Sequence, residues 1–490
     1  METIVIIALM FSFAIYLYIG IRNWKETKSL SDMIPVMFGK KASVKSTDEF
    51  SASTVATTIS LATVIMAYFE LAGYFGFWLF WTAITTSLGL AVVSRYSGKI
   101  WNRLSKYSHR PSMHEYLGTE FGSKTIALVG AFCTAIGFLL IYATELIVGS
   151  QFLAKLIPAI PEYITVIVIS LVGFLYTLLG GFRAVVKTDQ IQMKFIWGFI
   201  LVMISFYSYF LITSTSPLSE VANIPKSLYD FSMRPGLISF MIGIAIMNIP
   251  LYISNMSIWQ RISASQNPEV VSKGLRSSVF SSLISWCLLA AIACLAYMVI
   301  TPESNVTLFT DLMKYISGSV FGKFVLFFTV LGLYGAMLST ASTNLIVVAH
   351  TIYEDIYASI KKHENVIERA DSSNELLKSR MILLASALGA TGLVILLKFI
   401  GFSIADLAFS IYGGGLALCP PIIFSLFLSR EKLKSIKTYA VASIIAGFFT
   451  GWTAAIYGRI HGINDLVFLS PCISFGISCL IMLCSRFSKK

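Results

Sequence analysis

Five of the six residues from Ser339 to Asn344 carry a side-chain oxygen, and all six lie inside a long apolar run. Ser339, Ser342 and Thr343 share one helix face through their i, i+3, i+4 spacing. One or two hydroxyls in such a run bond back to their own backbone. A cluster this dense suits a hard cation, because neutral oxygens can replace the water shell of a sodium ion.

Three more polar stretches interrupt apolar runs. Ser53-Thr54-Val55-Ala56-Thr57-Thr58-Ile59-Ser60-Leu61-Ala62-Thr63 either unwinds and frees backbone carbonyls or forms a packing face of small residues. Asn248-Ile249-Pro250-Leu251-Tyr252-Ile253-Ser254-Asn255-Met256-Ser257 sets a proline among two asparagines and a tyrosine. Proline removes a donor and clashes with the preceding turn. The stretch is therefore a simple kink, or a break whose freed groups meet a ligand. Gly180-Gly181 makes a turn, after which Asp189 enters the next run. Asp189 either pairs with Lys187 or Lys194 or neutralises a bound cation. Glu145 lies deep in another run with no basic neighbour in sequence, so it is either protonated or paired with a substrate cation.

The elements that must position these groups are membrane helices. Of 490 residues, 56% are apolar and 13% are charged, against roughly 25% charged in a soluble domain. Mean hydropathy is +0.77. Thirteen long apolar runs lie near 3–21, 50–73, 75–94, 125–150, 161–180, 186–213, 237–260, 275–300, 320–348, 380–400, 404–428, 437–457 and 466–485. At about 20 residues per span they use nearly the whole chain and leave no room for a soluble catalytic domain. In hydrocarbon, a polar side chain or broken backbone survives only when buried in protein or lining a cavity. The polar clusters are therefore the informative positions.

The net charge is +12. With the N-terminus outside, 29 of the 37 Lys and Arg fall in cytoplasmic segments, seven fall outside and Lys194 sits in a span. That bias predicts N-out, C-in and an odd number of spans in the cell membrane. It accounts for the basic excess without nucleic acid. The first run starts Met1-Glu2-Thr3, without a basic n-region or cleavage site, and is expected to remain as an anchor. The seven cysteines form no CxxC pair, and HExxH, P-loop and GxSxG patterns are absent. Hydrolysis and phosphate-driven pumping thus have no visible machinery. The expected partners at this point are the lipid bilayer, a hard cation and a ligand at the polar breaks. No enzyme activity, cofactor or obligatory protein partner is expected.

Four stretches resemble the sodium:solute symporter family, which includes bacterial proline, sugar, pantothenate and sialic acid carriers. They are Gly180-Gly181…Ala184-Val185-Val186…Thr188-Asp189…Gln192; Ala336-x-x-Ser339-Thr340 followed by Glu354-Asp355-Ile356-Tyr357; Asn255 through Gln260-Arg261; and Ser53-x-x-Ala56-x-x-Ile59-Ser60. The resemblance implies an all-α polytopic protein of about 13 transmembrane helices with a five-plus-five inverted-repeat (LeuT-type) fold. Residues 1–490 would form one transport domain: an extra helix at 3–21, repeats at 47–213 and 236–430, and two further helices at 437–485. The first helix of each repeat is then the one with a polar break, as in transporters with discontinuous helices.

The resemblance also implies sodium as the coupling ion. Its main site maps to the carbonyls of Ala56, Ile59 and Ala336 and the hydroxyls of Ser339 and Thr340. A second sodium, present in some members, maps to Asp189, Ser339, Ser342 and Thr343. Candidate solute contacts are Thr63, Glu145, Asn248, Tyr252, Asn255 and Tyr412. Glu145 stands where many members have a neutral polar residue. Thr63 and Val64 replace polar residues of sugar-carrying relatives, so sugar specificity does not carry over. The expected function is sodium-coupled solute uptake by alternating access. A proton-coupled or sodium-independent permease on the same fold, and a non-transporting sensor, are the alternatives.

Overall fold

A long apolar run in hydrocarbon must satisfy its backbone hydrogen bonds within itself, so each such run becomes a helix. The computed structural model describes residues 1–490 except 36–41, 108, 218–220, 222–223, 303, 306, 361–368, 371, 401–403 and 486–490, and leaves the side chains of 395–400, 404–408 and 410 undescribed. The main helices are α1 (Glu2–Trp24), α2 (Thr47–Thr58), α3 (Ala67–Phe75), α4 (Phe80–Leu104), α5 (Lys124–Leu156), α6 (Glu162–Thr213), α7 (Leu237–Ser254), α8 (Met256–Ala264), α9 (Pro268–Val299), α10 (Val320–His350), α11 (Ser373–Ile400), α12 (Ile404–Gly415), α13 (Cys419–Phe427), α14 (Lys437–Ile460) and α15 (Asn464–Cys484). A π-helical turn, Leu61–Met66, leads into α3.

Among the described residues, ten stretches are long and apolar enough to cross a bilayer, which makes the chain an integral membrane protein. Two of the ten hold more than one expected run. α6 has 52 residues; straight, it would measure about 78 Å at 1.5 Å per residue, more than twice the roughly 30 Å hydrocarbon core. It reverses instead at Gly181 (φ 57°, ψ −155°). A side chain there would meet the Met33 backbone at 2.7 Å, so glycine is required both for the positive φ and for the close approach. The stretch from Leu61 to Leu104 likewise turns at Gly76 (φ 54°) between α3 and α4.

The centre of the bundle is α10. Every residue from Thr329 to His350 is buried, and the helix packs against α6, α5, α1 and α2. A helix buried on all sides is the place where a polar cluster must find partners within the protein. The serine-threonine row at 339–343 lies there.

Candidate functional site

Two helices are broken within the bundle. α2 starts with Ser46 as its cap, whose hydroxyl accepts from the Glu49 N–H at 3.2 Å. It ends at Thr58. Near that end the hydroxyls of Thr57 and Thr58 bond back to the carbonyls of Ser53, Thr54 and Val55, competing with the helix as such side chains do. Ile59 (φ −94°, ψ 87°) and Ser60 (φ −81°, ψ 145°) leave the helical region.

The N–H groups beyond the break do not return to α2. Leu61 and Ala62 donate to the two carboxylate oxygens of Glu145 at 3.2 and 3.4 Å, and Thr63 donates to Ser60 Oγ at 2.9 Å. A continuous helix would send these three donors to the carbonyls of Thr57, Thr58 and Ile59. The Ile59 carbonyl is thereby relieved of its helical partner. Glu145 also accepts from the Ser60 hydroxyl and has no exposed surface. Among the described residues it pairs with neither a basic side chain nor a residue near it in sequence.

α10 packs against α2 and against the 61–66 turn. Ser339 donates to Asp189 Oδ1 at 2.7 Å, while Ser53, one turn before Ala56, donates to Oδ2 of the same carboxylate at 2.5 Å. The hydroxyl of Thr340 is buried and has no hydrogen-bond partner among the described residues. A buried unpartnered hydroxyl costs about 1–3 kcal/mol, and a cation ligand is one use for it.

Asp189 departs from the lysine pairing that its neighbours in sequence suggested. Lys187 donates to Asn23 Oδ1 at 2.7 Å, and Lys194 is exposed. The carboxylate instead receives the Arg261 guanidinium, with Nη2 to Oδ2 at 3.2 Å, both side chains fully buried. The same guanidinium reaches Ser53 Oγ at 2.9 Å, Thr343 Oγ1 at 3.1 Å and the Ser257 carbonyl at 3.1 Å. Ser342 donates to the Ser339 carbonyl at 3.4 Å. Asp189, Ser339 and Thr343 thus do come together, but around a cation that the chain itself supplies.

The second break separates α7 from α8 and lies at Asn255 (φ −81°, ψ 109°). Pro250 is carried inside α7, five residues earlier. Asn255 caps α8: its Oδ1 accepts from the Ser257 N–H at 2.9 Å and from the Ser257 hydroxyl at 2.7 Å. Trp259 Nε1 ties the two halves by donating to the Ile253 carbonyl at 2.7 Å.

Between the two breaks lies a cavity lined by Thr63, Asn248, Tyr252, Asn255 and Tyr412 together with Tyr68, Phe240, Trp286 and Phe409. Five of the six candidate solute contacts line it; Glu145 is turned onto the helix break instead. A second cavity includes Thr340 and Thr343 and shares Thr57, Leu251, Asn255, Ser257 and Tyr412 with the first. The cation candidates and the solute candidates therefore border adjoining spaces. Sequence reasoning missed Ser53, Ser60 and Arg261 as members of the site. For Arg261 a signal existed: an arginine within reach of a broken span in an apolar protein is costly unless paired.

The chain matches the model of the sodium:solute symporter family over residues 49–447. It is 21% identical to the sodium/proline symporter of Salmonella typhimurium over 495 residues, covering 95% of this chain and 90% of that one. Its fold is similar to that of a Na+-coupled sialic acid symporter solved in a substrate-bound outward-open state (TM-score 0.73, 19% identity, 99% and 97% of the two chains). It is also similar to that of Mhp1, a nucleobase-cation-symport-1 transporter (TM-score 0.57, 11% identity, 94% and 96%). These likenesses, with the two interrupted helices, show the LeuT-type fold. With four fifths of its length matched in order, the chain belongs to the sodium:solute symporter family.

Proposed function

We propose that this chain carries a small polar organic solute into the cell together with sodium, by alternating access in the cell membrane. The observation that carries this reading is the break at Ile59–Ser60, where the helical donors turn away to Glu145 and Ser60 and leave carbonyl oxygen beside α10. Sodium would be held there by the carbonyls of Ala56, Ile59 and Ala336 and the hydroxyls of Ser339 and Thr340. The solute would sit in the adjoining cavity among Thr63, Asn248, Tyr252, Asn255 and Tyr412. The repeats would span 47–213 and 236–430, with the N-terminus outside and the C-terminus in the cytoplasm.

The task is linkage: sodium and solute each stabilise the same occluded state, so each raises the affinity for the other. Sodium would join the broken α2 to α10, and losing it would loosen the wall that the solute touches. One charge moved through 100 mV supplies about 2.3 kcal/mol, and a tenfold sodium gradient adds about 1.4 kcal/mol. Together these support a solute gradient of several hundredfold per sodium. A second sodium among Asp189, Ser339, Ser342 and Thr343 would have to displace the guanidinium of Arg261, and this favours a single coupling ion.

A thermal-shift screen of small solutes in sodium against potassium tests the reading. A solute that stabilises the purified protein only in sodium supports it. A solute that binds equally in both salts, with uptake that follows pH instead, favours the proton-coupled alternative.

A further inference from the structure

The carboxylate of Glu145 is seated on the first N–H groups of the helical stretch that restarts at Leu61 and runs on through α3 to Phe75. The positive end of a half-helix attracts anions, and transporters with discontinuous helices turn such ends toward anionic substrate groups. Here the seat is already taken by a side chain of α5, which the Ser60 hydroxyl also holds.

The cavity next to this seat has a matching character. None of its described lining residues is charged, so a solute carboxylate would find no cationic partner there. Asn248 has its Nδ2 engaged by Thr85 and Thr86, each at 3.1 Å, and offers a ligand its carbonyl oxygen. Asn255 has its Oδ1 engaged by Ser257 and offers its Nδ2. One amide is thus an acceptor and the other a donor, against a wall formed by Phe240, Trp286 and Phe409.

We propose that Glu145 is a specificity-determining residue that fills the anion seat of the broken helix, so that this chain carries an uncharged solute bearing a hydrogen-bond donor and an acceptor on an apolar body, and excludes carboxylates. The assignment rests on reading the cavity as the solute site.

Two measurements test it. In the first, the purified Glu145→Ala variant is melted in potassium chloride with increasing potassium acetate. Acetate should enter the vacated seat and raise the midpoint by about 1–3 °C at saturating concentration. The wild type and Glu145→Gln, whose seats are occupied, should not respond. An Ala variant indifferent to acetate, or a wild type stabilised by it, overturns the proposal. In the second, the wild type is melted in sodium chloride with L-proline, N-acetylneuraminate and benzoate. No sodium-dependent shift with the three carboxylates is expected, and a shift with any of them overturns the proposal even if Glu145→Ala fails to fold. The acetate arm needs no sodium. A wild type whose melting and uptake ignore sodium would therefore overturn the symport reading alone, while the acetate result still decides the role of Glu145.

Discussion

Arg261 Nη2 donates to Asp189 Oδ2 at 3.2 Å, with both side chains fully buried. The pair joins the second arm of α6 to α8, and through Ser53 and Thr343 it also holds α2 and α10. It therefore ties one arm of each broken helix, α2 and α8, to α6 and α10. Removing one member of a buried ion pair leaves an uncompensated charge and costs about 3–5 kcal/mol. Asp189→Asn and Arg261→Gln should each lower the melting midpoint sharply. The double variant should recover much of that loss, as a double-mutant cycle of melting midpoints would read.

Thr340 should separate ion binding from folding. Its hydroxyl has no hydrogen-bond partner among the described residues, so Thr340→Val removes a ligand and leaves the packing intact. In potassium the variant should melt at or above the wild-type midpoint. The sodium concentration for half-maximal uptake should rise about tenfold, equivalent to about 1.4 kcal/mol. Ser339→Ala should raise it as well, but with a loss of stability, because Ser339 also supports Asp189. Unchanged sodium dependence in both variants would remove them from the sodium site.

Asn255 has two functions that substitutions can divide. Its Oδ1 caps α8, a role worth about 1 kcal/mol, and its Nδ2 is free for the cavity. Asn255→Ala should lose both stability and solute affinity. Asn255→Ser keeps a capping oxygen and should restore the melting midpoint without restoring the solute-induced shift.

A pH effect is expected outside the membrane, in the segment before the short helix Met113–Phe121. His109 Nε2 lies 2.7 Å from Glu115 Oε1. Burial alone would push the imidazole down, but the hydrogen bond to Glu115 and the charge of that carboxylate outweigh it and hold His109 above its ordinary value. A raised folded-state value contributes stability that is fully present below the unfolded value near 6.5. That contribution is lost as pH rises through the higher folded value. The half-exposed pair limits the contribution to under about 1 kcal/mol. His109→Gln should flatten the change in melting midpoint between about pH 6 and pH 8 by this small amount; a slope unchanged by the substitution would rule out His109 as its source.

The amino-acid sequence by itself determined that the chain spans a membrane, because its apolar runs are too many and too long for any soluble core. It also located the hydroxyl row on α10 and the polar stretch at 53–63, since polar groups in an apolar run are visible without a structure, but it left open whether that stretch unwinds; the helix ends at Thr58 and breaks at Ile59–Ser60. It left the stretch from Asn248 to Ser257 as a proline kink or a break; the helix absorbs Pro250 and yields at Asn255, whose side chain caps the next segment. Local propensity could not choose between the two, because capping is realised only where the chain is also free to turn. Tertiary structure alone decided the partners of Asp189 and Glu145, both buried. Asp189 meets an arginine 72 residues away, and Glu145 meets a serine 85 residues away. Neither pairing leaves a periodic or local trace in the sequence. Each exists because helix packing brings distant groups together where water is excluded, and there a charge must take whatever polar partner the fold supplies.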